Sequence, residues 1–259
     1  MTYQTLLFDQ SGPITRITLN RPDAANGMND VMTAELAHAA ARCESPETKA
    51  VILTGAGRFF CAGGDLKAMA ASPLGPGPFV RGIADDLHTA ISRLARMDAV
   101  LITAVNGTAA GAGFSLAVAG DLVVAAASAS FTMAYTRAGL SPDGSSSYYL
   151  PRVVGVRRAH DLMLTNRKLT AAEAEQWGLV NYVVDDAELG AKVDALANEI
   201  ASGAKGSNAA VKKLLLTSLD NTIEAQMELE SEFISANADG ADGREGIDAF
   251  LNKRAPNFA

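Results

Sequence analysis

The 259-residue sequence predicts an α/β protein, a core of alternating strands and helices followed by a purely helical module. Three observations carry this expectation. Val100–Val105 and Leu122–Ala126 are continuous apolar runs, the pattern of strands buried on both faces. Two strand-like runs break into glycine-rich turns, over residues 55–65 and 106–113, that lead into helices. From Ser145 onward apolar residues recur mostly at helical spacing. The core is placed over residues 1–195 and the helical module over 196–259, with no evident internal repeat.

Each element follows from local chemistry. Residues 5–9 and 14–19 are short β-type runs joined at Gln10-Ser11-Gly12-Pro13, a hairpin. Asn20-Arg21-Pro22-Asp23 ends the second run. Asn29 caps a helix reaching about Cys43, with Met32, Leu36, Ala39 and Ala40 on its apolar face. Residues 50–54 form the next strand. Over residues 71–78 Pro and Gly recur too densely for a helix. Such a segment is either a flexible cover for a substrate site or an exposed connector. Residues 79–96 are amphipathic, with Ile83, Leu87, Ile91 and Leu94 on one face. Residues 114–119 read as a short, almost wholly buried helix. Helices follow at 148–154, 156–165 and 170–177, the last opening on a Thr170–Glu173 capping box. A β-like piece at 181–184 precedes helices near 187–202, 208–218, 223–236 and 244–253.

Composition excludes several classes. A net charge of −7 argues against a general nucleic-acid binder, yet leaves room for a phosphorylated small molecule held by a few local cations. No basic stretch followed by an apolar run opens the chain, and no window is long and apolar enough to span a membrane. Two cysteines, Cys43 and Cys61, fit free thiols in a reducing cytoplasm. Cys61 lies in a glycine turn, so it is either a catalytic thiol or a small packed residue. No metal-ligand spacing is present.

A strand that breaks into small residues and restarts as a helix leaves backbone N–H groups free at the helix start, donors suited to an anion or a developing oxyanion. With both turns placed, the chain resembles the crotonase (enoyl-CoA hydratase/isomerase) family over essentially its full length. The matching segments are Leu19-Asn20-Arg21-Pro22, the run from Phe60 to Lys67, and the run from Ala104 to Gly113. Further matches are Glu173-Ala174 with Trp177-Gly178-Leu179-Val180, and the tail from Glu245 to Arg254. The resemblance implies a spiral of ββα units, a C-terminal helical trimerisation module, a homotrimer or dimer of trimers, and an acyl-CoA thioester substrate. It implies no cofactor beyond the CoA moiety. The oxyanion donors it implies are the N–H groups of Gly64 and Ala112. Its CoA contacts fall on Ala24, Ala25, Ala62 and Leu66, with Phe250 and Lys253 reaching across from a neighbouring subunit. Arg21, Arg58, Lys67 and Lys253 are candidate phosphate partners, or else solvated surface charges.

The chain departs from the hydratases of that family. The positions of their two glutamates hold Ser115 and Tyr135. A lone serine is a poor general base, and a phenol with a reference pKa of about 10 does not deprotonate water readily at neutral pH. One carboxylate stands elsewhere. Asp143 lies where two subgroups of the family keep a catalytic aspartate, the ring-epoxide isomerase of phenylacetate degradation and 4-chlorobenzoyl-CoA dehalogenase. The bland alternative makes Asp143 the cap of the helix after Ser145. His88 falls at the position of the dehalogenase's water-activating histidine, or is a polar-face residue. The reading chosen is double-bond isomerisation of an enoyl-CoA, with Asp143 as acid/base and Tyr135 or His88 tuning it. The competing expectations are dehalogenase- or hydrolase-like chemistry, with Asp143 as nucleophile and His88 as base, and a non-catalytic acyl-CoA-binding trimer.

Overall fold

A computed structural model describes residues 2–258, so Met1 and Ala259, at the ends of the two predicted segments, lie outside the described residues. The chain opens with the hairpin β1 (Leu6–Ser11) and β2 (Ile14–Leu19), closed by Gly12 and Pro13. Helix α1 (Asp30–Arg42) starts where the Asn29 side chain accepts from the Met32 amide at 3.0 Å. Then come β3 (Ala50–Gly55), β4 (Phe59–Cys61), α2 (Leu66–Ala71), α3 (Pro76–Arg96), β5 (Val100–Val105), β6 (Thr108–Ala110), α4 (Ala112–Val118), β7 (Leu122–Ala126) and β8 (Ser130–Thr132). The remainder is α5 (Ser146–Val154), α6 (Val156–Thr165), β9 (Leu169–Thr170), α7 (Ala171–Gln176), β10 (Tyr182–Val184), α8 (Leu189–Ser202), α9 (Lys205–Thr217), α10 (Ile223–Asp239) and α11 (Ala241–Leu251).

The strands form two sheets, in the orders β1-β2-β3-β5-β7-β10 and β4-β6-β8-β9. The pairs β3–β5 and β5–β7 are parallel in the large sheet, as β4–β6 and β6–β8 are in the small one. From β3 onward each turn of the chain lays one strand in each sheet before a helix or loop carries it on. This is a spiral of ββα units. The repeat escapes the sequence because β4, β6 and β8 are three residues long, too short to show a period.

Two sequence expectations change. The Pro/Gly-rich segment is not a loop throughout, because α3 begins at Pro76 and includes Gly77 and Pro78. Proline is tolerated in a first helical turn, where its missing N–H has no intrahelical partner to lose. Residue 195, taken as the passage to the helical module, lies inside α8. That helix buries Leu189, Val193, Leu196 and Ala197 against β3, β5 and β7. Helix α9 is also tied to the core. Its buried Lys212 reaches the carbonyls of Leu94 and Ala99 at 3.0 and 2.7 Å and the Asp121 carboxylate at 2.8 Å.

Candidate active site

The segment after β2 runs beside the segment after β4. The Ala62 amide donates to the Ala25 carbonyl at 3.0 Å, Met28 to Gly63 at 2.7 Å, and Asp65 to Met28 at 2.8 Å. Buried Asn26 pins this ladder from below, its amide group donating to the carbonyls of Ala56 and Phe59 at 2.9 and 2.8 Å. Ala24, Ala25, Ala62, Gly64 and Leu66 are thereby gathered on two adjoining strips of backbone. Asp65 caps α2 by accepting from the amides of Lys67 and Ala68 at 3.1 Å, and receives Arg21 at 2.9 Å. Burial acts to raise the Asp65 pKa, but the Ala68 amide and Arg21 outweigh it and hold the carboxyl below its usual value. Arg21 is therefore committed to Asp65 and to the Gly27 carbonyl, while Arg58 lies over the Phe59 ring and Lys67 is exposed.

The 62–64 strip meets the start of α4. A Cβ on Gly63 would stand 2.8 Å from the Ala110 carbonyl oxygen and 3.4 Å from the Ala112 nitrogen, and Gly63 has φ +97°. Only glycine permits this approach. Among the described residues neither the Gly64 nor the Ala112 N–H has a protein acceptor. Both residues line one cavity of about 390 Å³, together with Ala62, Leu66, Tyr135 and Asp143. Met69, Val80, Ile83 and Leu140 supply apolar wall. Two free amides at one apolar cavity can stabilise negative charge developing on a carbonyl oxygen.

Asp143 is the one carboxylate among the described residues lining that cavity. It does not cap α5, which corrects the bland alternative. Gly144 and Ser145 take left-handed conformations, φ +61° and +67°, and turn the carboxylate away from the helix start. Its Oδ1 meets Nε2 of His88 at 2.5 Å, so residues 55 positions apart come into direct contact. The Asp143 carbonyl oxygen is held separately, by the hydroxyls of Ser115 at 2.7 Å, Ser146 at 2.9 Å and Tyr135 at 3.2 Å. Burial pushes the Tyr135 phenol well above its usual value, so it remains a proton donor. His88 does not line the first cavity. It lines a second one, of about 530 Å³, with Ser145, Tyr148 and Tyr149.

Cys61 is a packed residue. It is fully buried, its Sγ donates to the Asn26 carbonyl at 3.0 Å, and burial raises its pKa to about 12. Phe250 is 83% exposed on α11, and neither it nor Lys253 lines the cavity of this chain. Sequence reasoning did not find the part of Asn26 in joining the two strips, nor the convergence of Ser115 and Ser146 on the Asp143 carbonyl. Both depend on contacts between turns that no local spacing encodes.

The fold and the cavity define a crotonase-type protein. The family model described as enoyl-CoA hydratase/isomerase matches residues 9–259, and the chain belongs to that family. It is 40% identical over 247 residues to a 1,2-epoxyphenylacetyl-CoA isomerase of Escherichia coli strain K12, covering 95% of this chain and 94% of the relative. It is 39% identical to a probable enoyl-CoA hydratase of Rhodobacter capsulatus, covering 100% and 99%. To 4-chlorobenzoyl coenzyme A dehalogenase-1 of an Arthrobacter species it is 34% identical, covering 93% and 88%. A crystal structure of an enoyl-CoA hydratase from Polaromonas sp. JS666 superposes with a TM-score of 0.93 at 33% identity, over 98% of this chain and 99% of the other.

Proposed function

We propose that this protein is an enoyl-CoA isomerase, a cytoplasmic homotrimer or dimer of trimers that moves a double bond along an acyl-CoA thioester. The observation that carries the reading is that Asp143, the one carboxylate among the described residues lining the cavity, shares it with two amides that have no protein acceptor among those residues. In this reading Gly64 and Ala112 donate to the thioester oxygen, each worth about 3–4 kcal/mol as charge builds there. The Asp143 carboxylate removes the α proton of a 3-enoyl-CoA, leaving a dienolate, and returns the proton at the γ carbon. Bonds and protons balance without any cofactor beyond the CoA moiety of the substrate. His88 holds the carboxylate from behind, and Tyr135 stays protonated beside it. Ala24, Ala25, Ala62 and Leu66 contact the CoA moiety, and Phe250 and Lys253 are supplied by a neighbouring copy. The isomerase relative supports this reading. The absence of a carboxylate at positions 115 and 135 weighs against hydration.

The test is Asp143→Ala assayed on a 3-enoyl-CoA, with acyl-CoA affinity measured alongside. Turnover should vanish and affinity persist. Undiminished turnover would remove Asp143 from the chemistry. A second reading, with Asp143 as nucleophile and His88 as the base for water, is favoured by the second cavity behind His88 and by the dehalogenase relative. Turnover in heavy-oxygen water separates the two, since label in the Asp143 peptide identifies a nucleophile and its absence an acid/base. Acyl-CoA binding with no turnover on any enoyl-, hydroxy- or aryl-CoA would instead identify a binding protein.

A further inference from the structure

We propose that Ser115 is a positioning residue that fixes the Asp143 carboxylate relative to the Ala112 amide, a role that rests on Asp143 being the acid/base. Ser115 lies one helical turn after Ala112 on α4, and it is completely buried, so it touches solvent at no point. Its hydroxyl spans from α4 to the carbonyl of Asp143 at 2.7 Å, the shortest of the three hydroxyl contacts there. The helix that offers the oxyanion donor is thus tied directly to the turn that carries the base. A base and an oxyanion donor tied together by a buried hydrogen bond keep their separation, which is what a proton transfer beside an enolate requires.

The surrounding residues fit this role. Tyr135 Oη lies 3.0 Å from Ser115 Oγ and 3.2 Å from the same carbonyl, so its single proton serves either the carbonyl directly or the Ser115 oxygen that donates to it. Ser146 donates from the other side. Gly144 makes the approach possible, because a Cβ there would stand 2.9 Å from Ser115 Cβ and 3.3 Å from Leu87 Cδ2, at a left-handed φ. Position 115 must therefore be small, to admit the turn, and hydroxylated, to hold it.

Ser115→Ala removes the hydroxyl and keeps the space. On a 3-enoyl-CoA it should lower kcat by about tenfold to a hundredfold, the scale of a misplaced catalytic group. KM and the unfolding midpoint should stay near the parent's. Tyr135→Phe alone should cost less, and the double variant more than the product of the two singles, since each hydroxyl partly substitutes for the other. A Ser115→Ala enzyme with kcat within twofold of the parent would overturn the proposal, as would a loss shared equally by kcat, affinity and stability. Asp143→Asn is run in parallel. If it is inactive while Ser115→Ala is unaltered, only the positioning role falls. If Asp143→Asn keeps full turnover, the acid/base reading falls and takes this one with it.

Discussion

At Gly63 a single missing Cβ sets the distance between the two halves of the site. The residue has φ +97°, and a methyl there would lie 2.8 Å from the Ala110 carbonyl oxygen. Gly63→Ala should cost about 1–3 kcal/mol of stability through backbone strain. Under the proposed oxyanion role of Ala112, its effect on the reaction should be larger than that strain implies, because the clash with the Ala110 carbonyl must shift the backbone two residues before the Ala112 amide. Losing one such donor lowers kcat by on the order of a hundredfold. Comparing kcat on a 3-enoyl-CoA with the unfolding midpoint of the same variant checks this. A variant that loses stability but keeps kcat would show that Ala112 is not a donor. Cys61, two residues away, teaches the opposite lesson. Its place in the glycine turn attracts a catalytic reading, but complete burial and a raised pKa make it packing.

At the scale of elements, legibility in the sequence followed length. Helix α1, the long strands β3, β5 and β7, and the capping box of α7 each carry enough residues or a strong enough cap to be read locally. The small sheet was invisible, and the start of α3 was masked by prolines that a first turn accepts. The same holds for the site. Gly64, Ala112 and Asp143, singled out by motif position, line one cavity, whereas the clasp of His88 on Asp143 and the hydroxyls on its carbonyl arise only when α3, α4 and the 139–145 segment pack together. Helix α2 shows how one cap couples element to site. Asp65 has a depressed pKa in the folded protein, so its contribution is present above the unfolded value near 3.8 and is lost as pH falls through the lower folded value. Asp65→Ala should cost about 1 kcal/mol at neutral pH, the worth of a helix cap. Denaturant titrations of parent and variant should converge as pH falls from about 4 through the lower folded value, below which the carboxyl is protonated in both states of the parent. A stability gap that stays constant down to that pH would show that the charge of Asp65 plays no part.

For the whole molecule the question is what α10 and α11 are for. Lys212 stitches α9 into the core, but α10 buries none of its residues and touches only its neighbouring helices closely. Ile223, Met227 and Ile234 fall on one face of α10, all exposed, with Ile234 at 72%. Helix α11 adds Ile247, Phe250 and Leu251. Large apolar side chains exposed in such number on two packed helices are costly in water. Under the trimer reading these helices meet copies of themselves, and Phe250 and Lys253 reach a neighbour's CoA site instead of the cavity of their own chain. The paired substitution Met227→Asp with Ile234→Asp puts charge into that face without touching the α/β core. Light scattering should show the parent as a trimer or hexamer and the variant as a monomer with an unchanged core circular dichroism spectrum. Affinity for acyl-CoA should fall at least about tenfold, some 1.4 kcal/mol, because the contacts lent across the interface are gone. A parent that is monomeric and fully active would leave Phe250 and Lys253 without a substrate to touch, and would return α10 and α11 to an unassigned surface.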